Sequence, residues 1–191
     1  MRYYIVNQLS RSIVLIGMMG AGKSSVGLCL HRRTGLSLHD TDEIVAANFG
    51  MPISEIFPKF GELRFRQAET EVLQSLATIE QAIIVTGGGI VVRNENVELL
   101  QRLGVIVWLD ADEETLFARA SRKRNRPLLH TKHPRKAFSQ ILGARRILYA
   151  NIADIRVDTS VLTDEEVAVA VLAKLKRMNL KPESLIPAKG S

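Results

Sequence analysis

The most constraining feature of this chain is an eight-residue run, Gly17-Met18-Met19-Gly20-Ala21-Gly22-Lys23-Ser24. It reads G-x-x-x-x-G-K-S, the spacing of a phosphate-binding Walker A loop. An apolar run, Ile13-Val14-Leu15-Ile16, precedes it and a helical pattern follows. The glycines let the backbone curl so that successive N–H groups point inward at phosphate oxygens. A helix opening at Gly22 adds its N-terminal dipole. Lys23 is placed to reach the outer phosphates, and the Ser24 hydroxyl to ligate Mg²⁺. A glycine-rich turn is the alternative, but a chance match in a chain of this composition is expected only about 1% of the time. Gly20, Ala21, Gly22, Lys23, Ser24 and Ser25 are therefore the candidate nucleotide-binding residues. The loop by itself does not separate a kinase from a GTPase or a motor.

The rest of the chain supplies a sheet for that loop. Gly35–His39, Ala82–Thr86, Val105–Leu109 and Ile155–Val157 read as further strands. Runs that are apolar throughout suit strands covered on both faces. Helical patterns separate them, at about 23–33, 61–79, 95–103, 112–122, 135–150 and 163–177. Thr163-Asp164-Glu165-Glu166 gives the last of these a capping box. Alternation of strand and helix predicts an α/β layer with a parallel sheet, in which ligands sit at the carboxyl ends of strands. Residues 1–11 read as a lead-in, 12–178 as one domain, and 179–191, with two prolines and no periodicity, as a tail.

Several side chains fall at those strand ends. Asp40 and Asp42 follow the second strand. One can hold a magnesium shell and the other can accept a hydroxyl's proton; a pair of aspartates capping a helix at Glu43 is an equal alternative. Arg66 and Glu69 are three apart on a predicted helix, so Glu69 either pairs with it on the surface or aims it at a carboxylate. Gly87-Gly88-Gly89 follows the third strand and is either a tight turn or a close backbone approach to a ligand. Asp110, closing the fourth strand, is a rival magnesium ligand. His130 and His133 have no Cys or carboxylate near them and make a poor metal site.

Charge is unevenly spread. The net charge is +6, but the 39 residues between Glu114 and Asp154 hold ten Arg and Lys and no acid, so the remainder nets −4. Such a concentration calls for an anionic partner, although a solvated helix face is possible. Arg119–Lys136 is its densest part, and an arginine-bearing flap there would exclude water and stabilise charge on a moving phosphoryl group. Only Phe117, Phe138 and Tyr149 are aromatic in that stretch, which argues against a stacking nucleic-acid module. No apolar run reaches the ~20 residues of a membrane helix, and the start lacks a signal-peptide core. Cys29 is the single cysteine, so no internal disulfide forms. A cytoplasmic monomer is expected, with no nucleic acid or membrane partner.

Taken together, the phosphate loop, Asp40-x-Asp42, Gly61-Glu62…Phe65-Arg66…Glu69, Gly87-Gly88-Gly89, Arg126-Pro127-Leu128-Leu129 and Arg145…Leu148-Tyr149 resemble the shikimate kinase family over about residues 12–175. The resemblance implies a P-loop NTPase of the nucleoside-monophosphate-kinase type, with five parallel strands and a closing lid at about 119–136. It implies transfer of the γ-phosphate of ATP to the 3-hydroxyl of shikimate, with Mg²⁺, a step toward chorismate and aromatic amino acids. By position, Asp42 would bind the shikimate hydroxyls and act as base or orienter, while Asp40 would help hold Mg²⁺. Arg66 and Arg145 would clamp the carboxylate, with the Gly87-Gly88-Gly89 turn against the substrate. Arg126 would contact phosphates and substrate, and Arg119 would lie near the adenine. The resemblance weakens the case for Asp110 as a metal ligand.

Two departures stand out. Ile147 occupies a position where the family commonly has proline, which bears on how that helix begins or bends. Asp158-Thr159-Ser160-Val161 offers little side chain to grip an adenine. The nearest rival reading is a kinase of the same fold acting on another polyol acid such as gluconate; the carboxylate clamp and the triple glycine favour shikimate.

Overall fold

A computed structural model describes residues 11–122 and 131–179. Most of the expected lead-in and tail, and the part of the expected lid that holds Arg126 and His130, lie outside the described residues. The five expected strands form one sheet: β1 Ser12–Ile16, β2 Ser37–Asp40, β3 Ala82–Val85, β4 Gly104–Asp110 and β5 Ile155–Asp158. Every pairing is parallel, in the order β2-β3-β1-β4-β5. Ile13, Val14, Leu15 and Ile16 are fully buried at its centre, which is why this strand shows no polar alternation.

The helices are α1 Lys23–Thr34, α2 Thr41–Phe49, α3 Ile53–Leu76, α4 Asn94–Leu103, α5 Glu113–Ser121, α6 Pro134–Ile152 and α7 Asp164–Asn179. From β1 the chain crosses toward β2; from β3 it crosses back over β1 to β4. With right-handed crossovers, that reversal puts α1 and α4 on opposite faces. α7 packs on α1, and α4 and α6 contact β4. The reversal also opens a crevice at the carboxyl ends of β1 and β3. The phosphate loop and the triple glycine both emerge there.

Gly27 lets α1 lie close on the sheet. A Cβ there would stand 2.6 Å from Val85 Cγ2 and 3.1 Å from Leu38 Cδ1. Among the described residues no helix is long and apolar enough to cross a membrane.

The structure revises one expectation and bears on two points left open. α3 begins at Ile53 rather than near residue 61, and it holds two helical segments that meet at Gly61, whose φ of 78° and ψ of 165° are non-helical. α6 runs without a break from Pro134 to Ile152, through Ile147. Isoleucine keeps the N–H that proline would remove, and its side chain is 65% exposed. Asp110 is not at the cleft as a metal ligand. Its carboxylate is buried and paired with Arg156 at 2.7 Å and Arg146 at 3.5 Å.

Candidate active site

The nucleotide side of the crevice is backbone made. Gly17, Gly20 and Gly22 all have positive φ, a region costly for other residues. At Gly17 the need is double, because a Cβ would stand 2.3 Å from the Leu109 carbonyl oxygen. Lys23 folds back across the loop and donates to the carbonyls of Gly17 at 2.8 Å and Met18 at 3.1 Å. Ser24 Oγ donates to Asp40 Oδ2 at 3.2 Å, so the two expected metal-side oxygens are neighbours. The other Asp40 oxygen accepts the Asp42 N–H at 3.0 Å and caps α2. The capping alternative is therefore present, and it leaves Asp40 beside Ser24.

These groups border a cleft of about 600 Å³ whose walls include Gly20, Gly22, Lys23, Ser24, Ser25, Asp40, Asp42 and Gly88. Ala21 is buried just behind it. Arg119 and Arg122 border the same cleft, opposite Leu162, Thr163 and Asp164. Arg119 donates to Thr159 Oγ1 at 3.1 Å and to the Thr159 carbonyl at 2.9 Å, tying α5 to the segment after β5. The capping box of α7 forms as expected: Thr163 N–H donates to Glu166 at 2.8 Å and Glu166 N–H returns to Thr163 Oγ1 at 3.3 Å.

A second wall, beside that cleft's lining, is made of side chains arranged around the triple glycine. A Cβ at Gly87 would stand 2.4 Å from Asp42 Oδ1, and one at Gly89 would stand 2.6 Å from Arg66 Nη1. Asp42 and Arg66 thus press on the same turn from either end. Arg66 Nη1 donates to Glu69 Oε2 at 2.8 Å, while its Nε and Nη2 both donate to Glu62 Oε1, at 3.2 and 3.1 Å. Arg145 reaches from α6 to Met18 Sδ of the phosphate loop at 4.0 Å. The Tyr149 hydroxyl, also on α6, donates to the Gly88 carbonyl.

Burial and charge set the protonation of this wall. Burial pushes the Glu69 carboxyl above its ordinary value, with the Arg66 guanidinium pulling the other way. Burial would lower Arg66, but the Glu69 charge and the hydrogen bonds that Arg66 donates to Glu69 and Glu62 outweigh it and hold the guanidinium more firmly protonated. Asp42 and Arg145 also act on Glu69. Asp42, Arg66, Glu69 and Arg145 therefore share one electrostatic neighbourhood although they come from three helices.

The structure brings together the phosphate loop, Asp40, Asp42, Arg66, the three glycines, Arg119 and Arg145; Arg126 lies outside the described residues. Sequence reasoning gave no individual role to Arg122, and used Glu62 and Tyr149 only as motif letters. The four-residue spacing of Glu62–Arg66 and of Arg145–Tyr149 was the available signal. The basic stretch is also less free than its composition suggests, because Arg135 pairs with Glu114 and Arg146 with Asp110.

The sequence model described as shikimate kinase matches residues 19–176. A shikimate kinase from Thermodesulfovibrio yellowstonii is 42% identical over 88% of this chain and 97% of its own length. One from Moorella thermoacetica is 43% identical over 86% of this chain and 92% of its own. Among solved structures, Acinetobacter baumannii shikimate kinase in complex with shikimate superposes with a TM-score of 0.86 at 33% identity, covering 90% of this chain and 96% of that one. A gluconokinase from Sinorhizobium meliloti aligns with a TM-score of 0.53 at 20% identity over 89% of this chain and 95% of its own, a likeness of fold alone. A family match over most of the domain, joined to relatives above 40% identity along almost their whole length, means that the chain belongs to the shikimate kinase family.

Proposed function

We propose that this chain transfers the γ-phosphoryl group of ATP to the 3-hydroxyl of shikimate. One observation carries the reading: Asp42 and Arg66 flank a single glycine turn, and that turn borders the cleft that also holds Lys23 and Ser24. A carboxylate able to accept a hydroxyl proton and a cation able to grip a carboxylate thus stand near a phosphate cradle. A hydroxylated ring acid carries both complementary groups.

In this reading the phosphate loop N–H groups and Lys23 bind the triphosphate, and Lys23 exchanges its present loop carbonyls for phosphate oxygens. Asp42 orients the attacking hydroxyl and accepts its proton. Arg66 and Arg145 hold the acceptor carboxylate, with Gly87, Gly88 and Gly89 close against the ring. Arg119 lies against the base, and Arg126 is assigned to both phosphates and acceptor. Ser24 and Asp40 fit Mg²⁺, since both offer hard oxygen donors and already stand within hydrogen-bonding distance. When bound, the ion neutralises charge on the phosphate oxygens.

The deciding experiment compares ADP release with shikimate, quinate and gluconate as acceptors. Release with shikimate well above the acceptor-free background is expected. Release only with gluconate, or equal release with no acceptor, would overturn the assignment.

A further inference from the structure

Tyr149 is among the largest fully buried side chains in the fold. Its ring lies against Trp108, with centroids 6.0 Å apart. Its hydroxyl does not end in an arbitrary part of the core. It donates to the Gly88 carbonyl, and Arg145 stands one turn earlier on the same helix, α6. One buried hydroxyl therefore joins the middle of the glycine turn to the helix that carries Arg145.

The Gly88 peptide needs such a fastening. It has no side chain to anchor it, and it sits in a narrow gap: a Cβ at Gly88 would stand 3.3 Å from the Gly17 carbonyl oxygen and 3.5 Å from the Met19 nitrogen. The Gly88 C=O and the Gly89 N–H belong to one planar peptide group. Fixing the carbonyl toward α6 therefore fixes the N–H on the opposite side. Without the phenol oxygen, that plane could rotate at little cost, because glycine backbone is permissive.

We propose that Tyr149 is a positioning residue for the acceptor: its hydroxyl sets the plane of the Gly88–Gly89 peptide. The proposal rests on the reading that shikimate is the acceptor. Tyr149 touches neither reactant; it acts through the glycine turn placed against the acceptor.

The test is Tyr149→Phe, which keeps the ring and removes the oxygen, with Trp108→Phe as the companion that disturbs the ring's packing and keeps the hydroxyl. Shikimate is titrated calorimetrically without nucleotide, and steady-state constants and Tm are measured for both. In Tyr149→Phe the Kd and KM for shikimate rise about tenfold, as expected when a buried acceptor loses its donor, while the KM for ATP stays within about twofold. Trp108→Phe lowers Tm and leaves the shikimate Kd in place. An unchanged shikimate Kd in Tyr149→Phe, with the unaltered protein binding normally, would overturn the proposal alone. So would an equal loss in Trp108→Phe, which would assign the effect to packing. Absence of shikimate binding and turnover in the unaltered protein would overturn the acceptor reading, and the proposal with it.

Discussion

The phosphate-binding part of the cleft is one continuous stretch, residues 17–25, whereas the acceptor side is gathered from α2, α3, the turn after β3, and α6. The first side works through backbone groups that need only the right φ angles. The second works through charged side chains, and Arg66 and Glu69 are held with side-chain exposures of 13% and 1%. A backbone cradle tolerates neighbours such as Met18 and Met19. A buried ion pair does not, because removing one partner strands the other. The comparison teaches that the two sides should fail differently when cut.

The largest effect is expected for Lys23→Ala and Asp42→Asn. Each should lower kcat by about a thousandfold or more, as expected when charge stabilisation or proton transfer is lost. Because neither belongs to the core, Tm should hold; single-turnover kinetics and a thermal melt check both points. Retained activity in Asp42→Asn would contradict the role given to it.

Arg66→Ala should next show the vulnerability of the side-chain wall. The KM for shikimate should rise by about a hundredfold with ATP binding little altered, and the stranded Glu69 should cost about 3 kcal/mol of stability. Arg66→Lys restores the charge but not the planar fork, so stability should recover further than KM. A melt and a KM comparison on the two variants separate these effects.

The smallest effect is the pH dependence of stability, and its sign differs between regions. Glu69 has its folded pKa raised, so the stability linked to it is full below the ordinary carboxylate range and is lost as pH rises through the raised value. Asp112, Asp158 and Glu166 have theirs lowered by hydrogen bonds from Thr115, Ser160 and Thr163. Their contribution is full above the ordinary range and is lost as pH falls through the lowered values. Tm recorded from about pH 3 to pH 8 should show an acid limb in both proteins, with the Glu69→Gln variant losing only the decline on the alkaline side.

The same contrast explains what the sequence could and could not disclose. The phosphate loop is local, so its spacing alone identifies it, and the buried strands are visible as unbroken apolar runs. The start of α3 is hidden because Pro58 lies inside it and Gly61 breaks its dihedral pattern, so only the part after the break reads as a helix in the sequence. α2 is hidden for another reason. Its N-cap, Asp40, has one oxygen on the Asp42 N–H and the other on the Ser24 hydroxyl, so the residue reads equally well as a cap or as a site. Asp110 shows the reverse ambiguity, since an acid closing an apolar strand can be read as a ligand until Arg146 and Arg156 are seen on it. The link between Tyr149 and Gly88 spans 61 positions and leaves no periodic trace in the chain.

Gly27 carries a last consequence. It meets no part of the cleft, yet the distance between α1 and the sheet is set by the absence of a methyl group there. Any larger residue would lever the helix outward and carry Lys23, one turn away, with it. The reach of that amine toward a triphosphate is thus fixed by a hydrogen atom wedged between a valine and a leucine, and a selection for altered nucleotide affinity would be expected to find this hinge-like spot in the hydrophobic interior as readily as the loop itself.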